Sequence, residues 1–141
     1  MESPIKVLLV DDEENFTATL SKRLVRRGFE VRVAYDAFEA GALMEDEPVE
    51  VVVLDMKMPG IDGLQALKRI KNNFPGVEVI LLTGHAVMGD AIESMYSGAF
   101  DFLLKPASLE LLVCKIQDAA MTRRLAQNGD TSGLVSHCKM D

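Results

Sequence analysis

Five short runs of aliphatic and β-branched residues alternate along this chain with longer stretches of helical periodicity, and that alternation leaves few folds open. Lys6–Val10, Glu30–Ala34, Val51–Leu54, Glu78–Leu82 and Phe102–Leu104 read as strands. The first, third and fourth are near-continuous Val, Ile and Leu, as expected of strands covered on both faces. Between and after them the spacing predicts helices over Glu14–Arg27, Ala37–Glu45, Gly63–Asn73, Asp90–Ser97 and Leu109 to about Leu125. Strand–helix alternation of this kind specifies βα units on a parallel sheet. Right-handed crossovers then wind it into an α/β, doubly wound fold with five strands and five helices.

Local signals support the boundaries. Asp36, Asp62 and Ser108 stand where N-caps are needed, and Arg26-Arg27 precede Gly28 where a helix should end. Asp90–Ser97 is the least determined helix, because Ser94, Ser97 and Gly98 weaken it. Leu109, Leu112, Val113 and Ile116 recur at helical spacing, and Cys114 is placed on the same buried stripe. The 141 residues suit one domain, taken as 1–127, followed by a flexible, glycine-bearing tail over 128–141.

Charge and composition exclude several function classes. The net charge of −7 argues against direct binding of nucleic acid, with local exceptions left open because the acids cluster at Asp11–Glu14 and Glu45–Glu50. The longest apolar runs fall far short of a membrane span and no signal peptide precedes the first strand, so a cytoplasmic location without membrane contact is expected. Cys114 and Cys138 lack metal-ligand spacing and read as reduced thiols; His137-Cys138 alone does not make a metal site.

Four of the five strand candidates run into a polar residue. Ile5–Val10 meets Asp11-Asp12, Val51–Leu54 meets Asp55, Val79–Leu82 meets Thr83, and Phe102–Leu104 meets Lys105-Pro106. In doubly wound folds ligands bind outside the carboxyl ends of the strands, so fold rule and residue chemistry point to one place. Three carboxylates held together repel one another unless a cation neutralises them, and Mg²⁺ is the natural guest of such an oxygen-donor set. A carboxylate can accept a phosphoryl group as an acyl phosphate, while Lys105 and Thr83 offer a cation and a hydroxyl to its oxygens. Singly, an Asp after a strand reads as a helix N-cap, Thr83-Gly84 as a turn and a Lys before Pro as a solvated loop residue. Jointly, in order along alternating units, they do not reduce to those roles.

The set Asp11-Asp12, Leu54-Asp55-Met56-Lys57-Met58-Pro59-Gly60, Asp62-Gly63, Thr83-Gly84, Gly98–Phe102 and Lys105-Pro106 resembles the receiver domain of two-component response regulators, over about Ile5 to Leu125. Thr83-Gly84-His85-Ala86 is most similar to receivers joined to nitrogen-regulator-type or FixJ-type outputs. The resemblance implies a flavodoxin-like sheet of strand order 2-1-3-4-5 and a signalling switch rather than an enzyme. It implies Asp55 as phosphoacceptor and Mg²⁺ held by Asp11, Asp12, Asp55 and the main-chain carbonyl of Lys57. Thr83 and Lys105 would bind the phosphoryl oxygens, Lys105–Pro106 would be cis, and Phe102 would turn inward as the switch aromatic. Lacking a hydroxyl, Phe102 would switch by burial alone, if it is not simply a static core aromatic. Lys57 and His85 flank the mouth of the site and are candidates for setting the lifetime of the phosphorylated state; Lys57 also reads as a plain solvated lysine.

Implied partners are a sensor histidine kinase, a downstream effector protein or attached output domain, and a second copy in a phosphorylation-dependent homodimer. The face of the fourth helix, fifth strand and fifth helix would be read by them. The tail over Thr131–Asp141 lacks the periodicity of a helical linker, which favours a stand-alone chain over the receiver part of a larger regulator. An aspartyl-phosphate hydrolase of the haloacid dehalogenase type is the competing enzyme class, but Asp11-Asp12-Glu13 does not supply its Asp-x-Asp. A purely structural module would not need the complete acceptor set, and no P-loop sequence follows any strand.

Overall fold

A computed structural model, describing residues 3–57, 60–84 and 88–127, contains five strands and five helices in strict alternation. The strands are β1 (Lys6–Val10), β2 (Glu30–Ala34), β3 (Val51–Leu54), β4 (Glu78–Thr83) and β5 (Asp101–Leu104). The helices are α1 (Glu14–Arg26), α2 (Ala37–Asp46), α3 (Gly63–Asn73), α4 (Met88–Tyr96) and α5 (Leu109–Gln127). All neighbouring strands pair in parallel, in the order β2-β1-β3-β4-β5. This is the doubly wound sheet expected from the alternation, in the flavodoxin-like strand order that the resemblance implies.

The near-continuous hydrophobicity of the inner strands follows from burial on both faces. Leu8, Val10, Val52, Leu54, Val79 and Leu81 pack into one core with Ala40, Met44, Ala66, Leu67 and Ile70 of α2 and α3. Their alternates Val7, Leu9, Val51, Val53, Ile80 and Leu82 pack into a second core with Leu24 of α1 and Leu112, Ile116 and Ala119 of α5. Period-two side-chain alternation thus feeds two cores from one sheet. Each fully buried Leu or Val contributes about 1.5–3 kcal/mol of burial.

The caps hold as the local chemistry dictates. Asp36 accepts from the Glu39 N–H and Asp62 from the Gln65 N–H, each at 2.8 Å, while Ser108 Oγ accepts from the Leu111 N–H at 3.0 Å. Gly28 has φ +92° and ends α1: its N–H reaches Val25 O and the Phe29 N–H reaches Leu24 O, a Schellman arrangement needing a left-handed residue.

Differences from the sequence expectations lie at element ends and on one helix face. β4 extends to Thr83 because Thr83 pairs with Leu104, and β5 begins at Asp101 because Asp101 pairs with Ile80. α4 starts at Met88 rather than Asp90, and α5 continues to Gln127. Cys114 is only half-buried. The buried residues of α5 are Leu112, Val113, Ile116, Asp118, Ala119 and Ala120, and Cys114 stands one step of about 100° past Val113. The tail over 128–141, with His137 and Cys138, lies outside the described residues.

Candidate functional site

Parallel register brings the four strand ends to one edge of the sheet. Val10 pairs with Leu54, Leu54 with Leu81, and Thr83 with Leu104, so the residues that follow or end these strands are neighbours. Main-chain hydrogen bonds carry the alignment beyond the ladder: Asp55 N–H to Val10 O at 2.9 Å, Asp11 N–H to Ala34 O at 3.1 Å, and Lys105 N–H to Thr83 O at 2.8 Å.

Asp11, Asp12 and Asp55 form the one group of three potential metal-ligating side chains found among the described residues, with one carboxylate oxygen from each lying within 4.8 Å of the others. Asp11 and Asp55 are buried and Asp12 is exposed, so the cluster has a solvent-facing side. Neither Asp11 nor Asp12 is the N-cap of α1. That position is Glu13, whose side chain makes no capping bond; instead Asp11 Oδ1 accepts the Glu13 N–H at 3.0 Å. The ordinary explanation for an Asp after a strand therefore accounts for one oxygen of Asp11 and for nothing of Asp12.

Lys105 crosses to this cluster from the end of β5. Its Nζ lies 2.6 Å from Asp11 Oδ2 and 3.4 Å from Glu13 Oε1, and 4.1 Å from the centroid of the Phe16 ring. Burial works against the ammonium charge, but Asp11, Asp55 and Glu13 outweigh it and hold the Lys105 pKa above its ordinary value. The Lys105–Pro106 peptide is cis.

Asp55 is held in the opposite balance. Burial and the charge of Asp11 push its carboxyl up, against the pull of Lys105, the Lys57 N–H and the Thr83 hydroxyl, and the net shift is upward. Three hard oxygen donors converge here with a net excess of negative charge, a set capable of coordinating a divalent cation. Thr83 is fully buried, with its hydroxyl near enough to Asp55 to favour the charged carboxylate.

The remaining sequence candidates are more dispersed. Phe102 is half-buried and packs against the core on the α2–α3 side, one register step from the site opposite Leu81. Lys57 is exposed at its side chain and meets Asp55 through its N–H. His85 lies outside the described residues. Glu13 and Phe16, which hold Lys105 from the start of α1, were not singled out by sequence reasoning. The acidic run Asp11–Glu14 was the available signal for Glu13; none marked Phe16, an ordinary apolar residue of an amphipathic helix.

The response regulator receiver domain family profile matches residues 7–117. The chain belongs to that family: it is a CheY-like receiver domain of a two-component response regulator, a signalling module of phosphorelay rather than an enzyme. It is similar to the transcriptional regulatory protein TrcR of Mycobacterium tuberculosis, 38% identical over 82% of this chain and 45% of that protein. The crystal structure of a response regulator receiver domain protein from Clostridium thermocellum superimposes with a TM-score of 0.82 at 34% identity, covering 86% of this chain and 98% of that one. A response regulator protein from Burkholderia pseudomallei, solved with a phosphorylated aspartic acid, a calcium ion and citrate, superimposes with a TM-score of 0.76 at 30% identity, covering 87% of this chain and 72% of that one. The chain spans between a quarter and about half the length of the curated relatives it matches. Among the described residues, no helix is long and apolar enough to cross a membrane.

Proposed function

We propose that Asp55 accepts a phosphoryl group from a sensor histidine kinase, and that the change in charge there alters partner binding at the α4–β5–α5 face. The observation that carries this reading is the convergence of Asp11, Asp12 and Asp55 oxygens within 4.8 Å, with Lys105 and Thr83 beside them. Asp11, Asp12, Asp55 and the Lys57 main-chain carbonyl would hold Mg²⁺, which when bound neutralises charge between the carboxylates and the incoming phosphoryl oxygens. The phosphorylated aspartic acid of the Burkholderia pseudomallei regulator supports the assignment by similarity.

In this scheme an Asp55 carboxylate oxygen attacks phosphorus, the phosphorus–nitrogen bond of the donor phosphohistidine breaks, and the imidazole leaves. Lys105, released in part from Asp11, pairs with one phosphoryl oxygen. The Thr83 hydroxyl, already turned toward Asp55, donates to another. A closer approach of Thr83 to the phosphoryl oxygens would open room beside Leu81, where Phe102 of β5 turns inward. Ile92, Met95 and Tyr96 of α4 and Leu104 of β5 are large apolar side chains left exposed, and they supply a face on which binding can respond. Lys57 and His85 would tune the lifetime of the acyl phosphate by crowding the approach of water.

The output is proposed to be a transcription-regulating module, of nitrogen-regulator or FixJ type. The greater length and regulatory names of the matched relatives support this over the stand-alone reading that the tail composition favours. The test is labelling by acetyl phosphate: the wild-type protein is expected to label only with Mg²⁺ present, and Asp55→Ala not at all. Stoichiometric labelling of Asp55→Ala would remove Asp55 from its role.

A further inference from the structure

We propose that Gly63 is a positioning residue for the Asp55 site, required by close approach rather than by backbone conformation. The proposal deepens the reading of Asp55 as phosphoacceptor and rests on it. Gly63 opens α3 and is buried, and it is not among the glycines with positive φ. Its conformation is one any residue could adopt. The space is not: a Cβ added there would lie 2.4 Å from Met56 Cα, 2.9 Å from the Asp55 carbonyl oxygen and 3.0 Å from the Met56 carbonyl carbon.

All three atoms belong to the main chain, so no side chain can swing aside to make room. At the same contact the Gly63 N–H donates to Met56 O at 2.9 Å. The first turn of α3 is therefore pressed onto, and bonded to, the peptide units that carry Asp55 and lead into Lys57. The Lys57 N–H in turn faces the Asp55 carboxylate closely enough to favour its charged form. Asp62 fixes the same turn by capping Gln65. Gly41 of α2 makes the contrast: a Cβ there meets nothing within 4 Å.

A methyl group at 63 must push the Asp55–Lys57 backbone and α3 apart by roughly an ångström. Helix propensity alone predicts the opposite outcome, since Ala in place of Gly favours a helix by about 1 kcal/mol. The sign of the effect thus separates close approach from an incidental glycine. Misplacement of this size at a reacting centre costs up to about a hundredfold in rate.

The experiment compares wild type, Gly63→Ala and Gly41→Ala. In metal-free protein the ¹H–¹⁵N resonances of Asp55, Met56 and Lys57 are expected to shift in Gly63→Ala while those of β2 and the middle of α5 stay in place. Calorimetric Mg²⁺ affinity should fall about tenfold, and acetyl phosphate labelling at saturating Mg²⁺ about ten- to a hundredfold. Gly41→Ala should match wild type in all three. Unchanged resonances, affinity and rate in Gly63→Ala would overturn the proposal while leaving Asp55 in its role. An unlabelled wild type would instead sink the phosphoacceptor reading, and the metal-free resonances would then decide the positioning claim alone. Should Gly63→Ala fail to fold, Asp62→Ala decides, because it loosens the same turn without adding an atom. Smaller losses of the same kind are expected from it, and wild-type affinity and rate would count against the proposal.

Discussion

At the scale of the residue, the site is a balance of unlike charges that does not close. Lys105 gives its shortest ion pair to Asp11, and Asp55 is left buried beside a like charge. Such a cluster costs stability until a cation or a neutral substitution relieves it. Asp55→Asn is accordingly expected to raise the thermal midpoint of the metal-free protein above that of wild type. Mg²⁺ should raise the wild-type midpoint, by about 2.7 kcal/mol of linkage at a hundredfold excess over its Kd, and raise that of Asp55→Asn less. Differential scanning calorimetry in chelator and in excess Mg²⁺ checks both. A wild type indifferent to Mg²⁺ would mean that the convergence of carboxylates is not a cation site.

At the scale of the element, ion pairs fasten the end of the sheet opposite the site, Glu50–Arg124 foremost among them. Glu50, just before β3, receives Arg124 of α5 in a two-pronged bond, Nε to Oε2 at 2.7 Å and Nη2 to Oε1 at 2.8 Å, and Arg124 Nη2 also reaches Ser3 O at 3.1 Å. Burial alone pushes the Glu50 carboxyl up, but Arg124, the Lys6 N–H and Arg123 outweigh it and hold the pKa below its ordinary 4.5. A carboxyl lowered on folding contributes stability that is complete above the unfolded pKa and lost as pH falls through the folded value. Arg124→Ala is expected to cost about 1–2 kcal/mol at neutral pH, discounted for partial exposure. The difference should shrink as pH drops below 4.5, measured by urea denaturation across that range. A cost unchanged at acid pH would assign it to lost packing of the arginine stem instead.

Elements also mark the limit of what the sequence discloses. β3 was legible to the residue because a strand buried on both faces leaves no polar positions to blur the run. The ends of β4 and β5 shifted by a residue because Thr83 and Asp101 are polar residues whose pairing is decided by the neighbouring strand, not by their own propensity. The four strand-end positions were legible because βα topology dictates where such residues meet. Glu13, Phe16 and the Glu50–Arg124 pair were not, since each depends on side-chain reach between segments far apart in the chain. Gly63 stood in a matching motif, but its reason, a contact with the main chain of Met56, exists only once α3 is docked.

At the scale of the whole molecule, one sheet separates two tasks. The carboxyl ends of its strands gather the acids, the hydroxyl and the ammonium, while α4 and β5 carry exposed Ile92, Met95, Tyr96 and Leu104 to one side. β4 and β5 join them, Thr83 pairing with Leu104 and Leu81 with Phe102. The central claim is that Asp55, with a divalent cation among its neighbours, takes the phosphoryl group. Borohydride reduction after acetyl phosphate treatment converts an aspartyl phosphate to homoserine with release of phosphate, and peptide mapping then locates it. Homoserine at position 55, formed with Mg²⁺ and absent with chelator, is the predicted result; homoserine elsewhere, or at 55 in equal yield without any divalent cation, would contradict it.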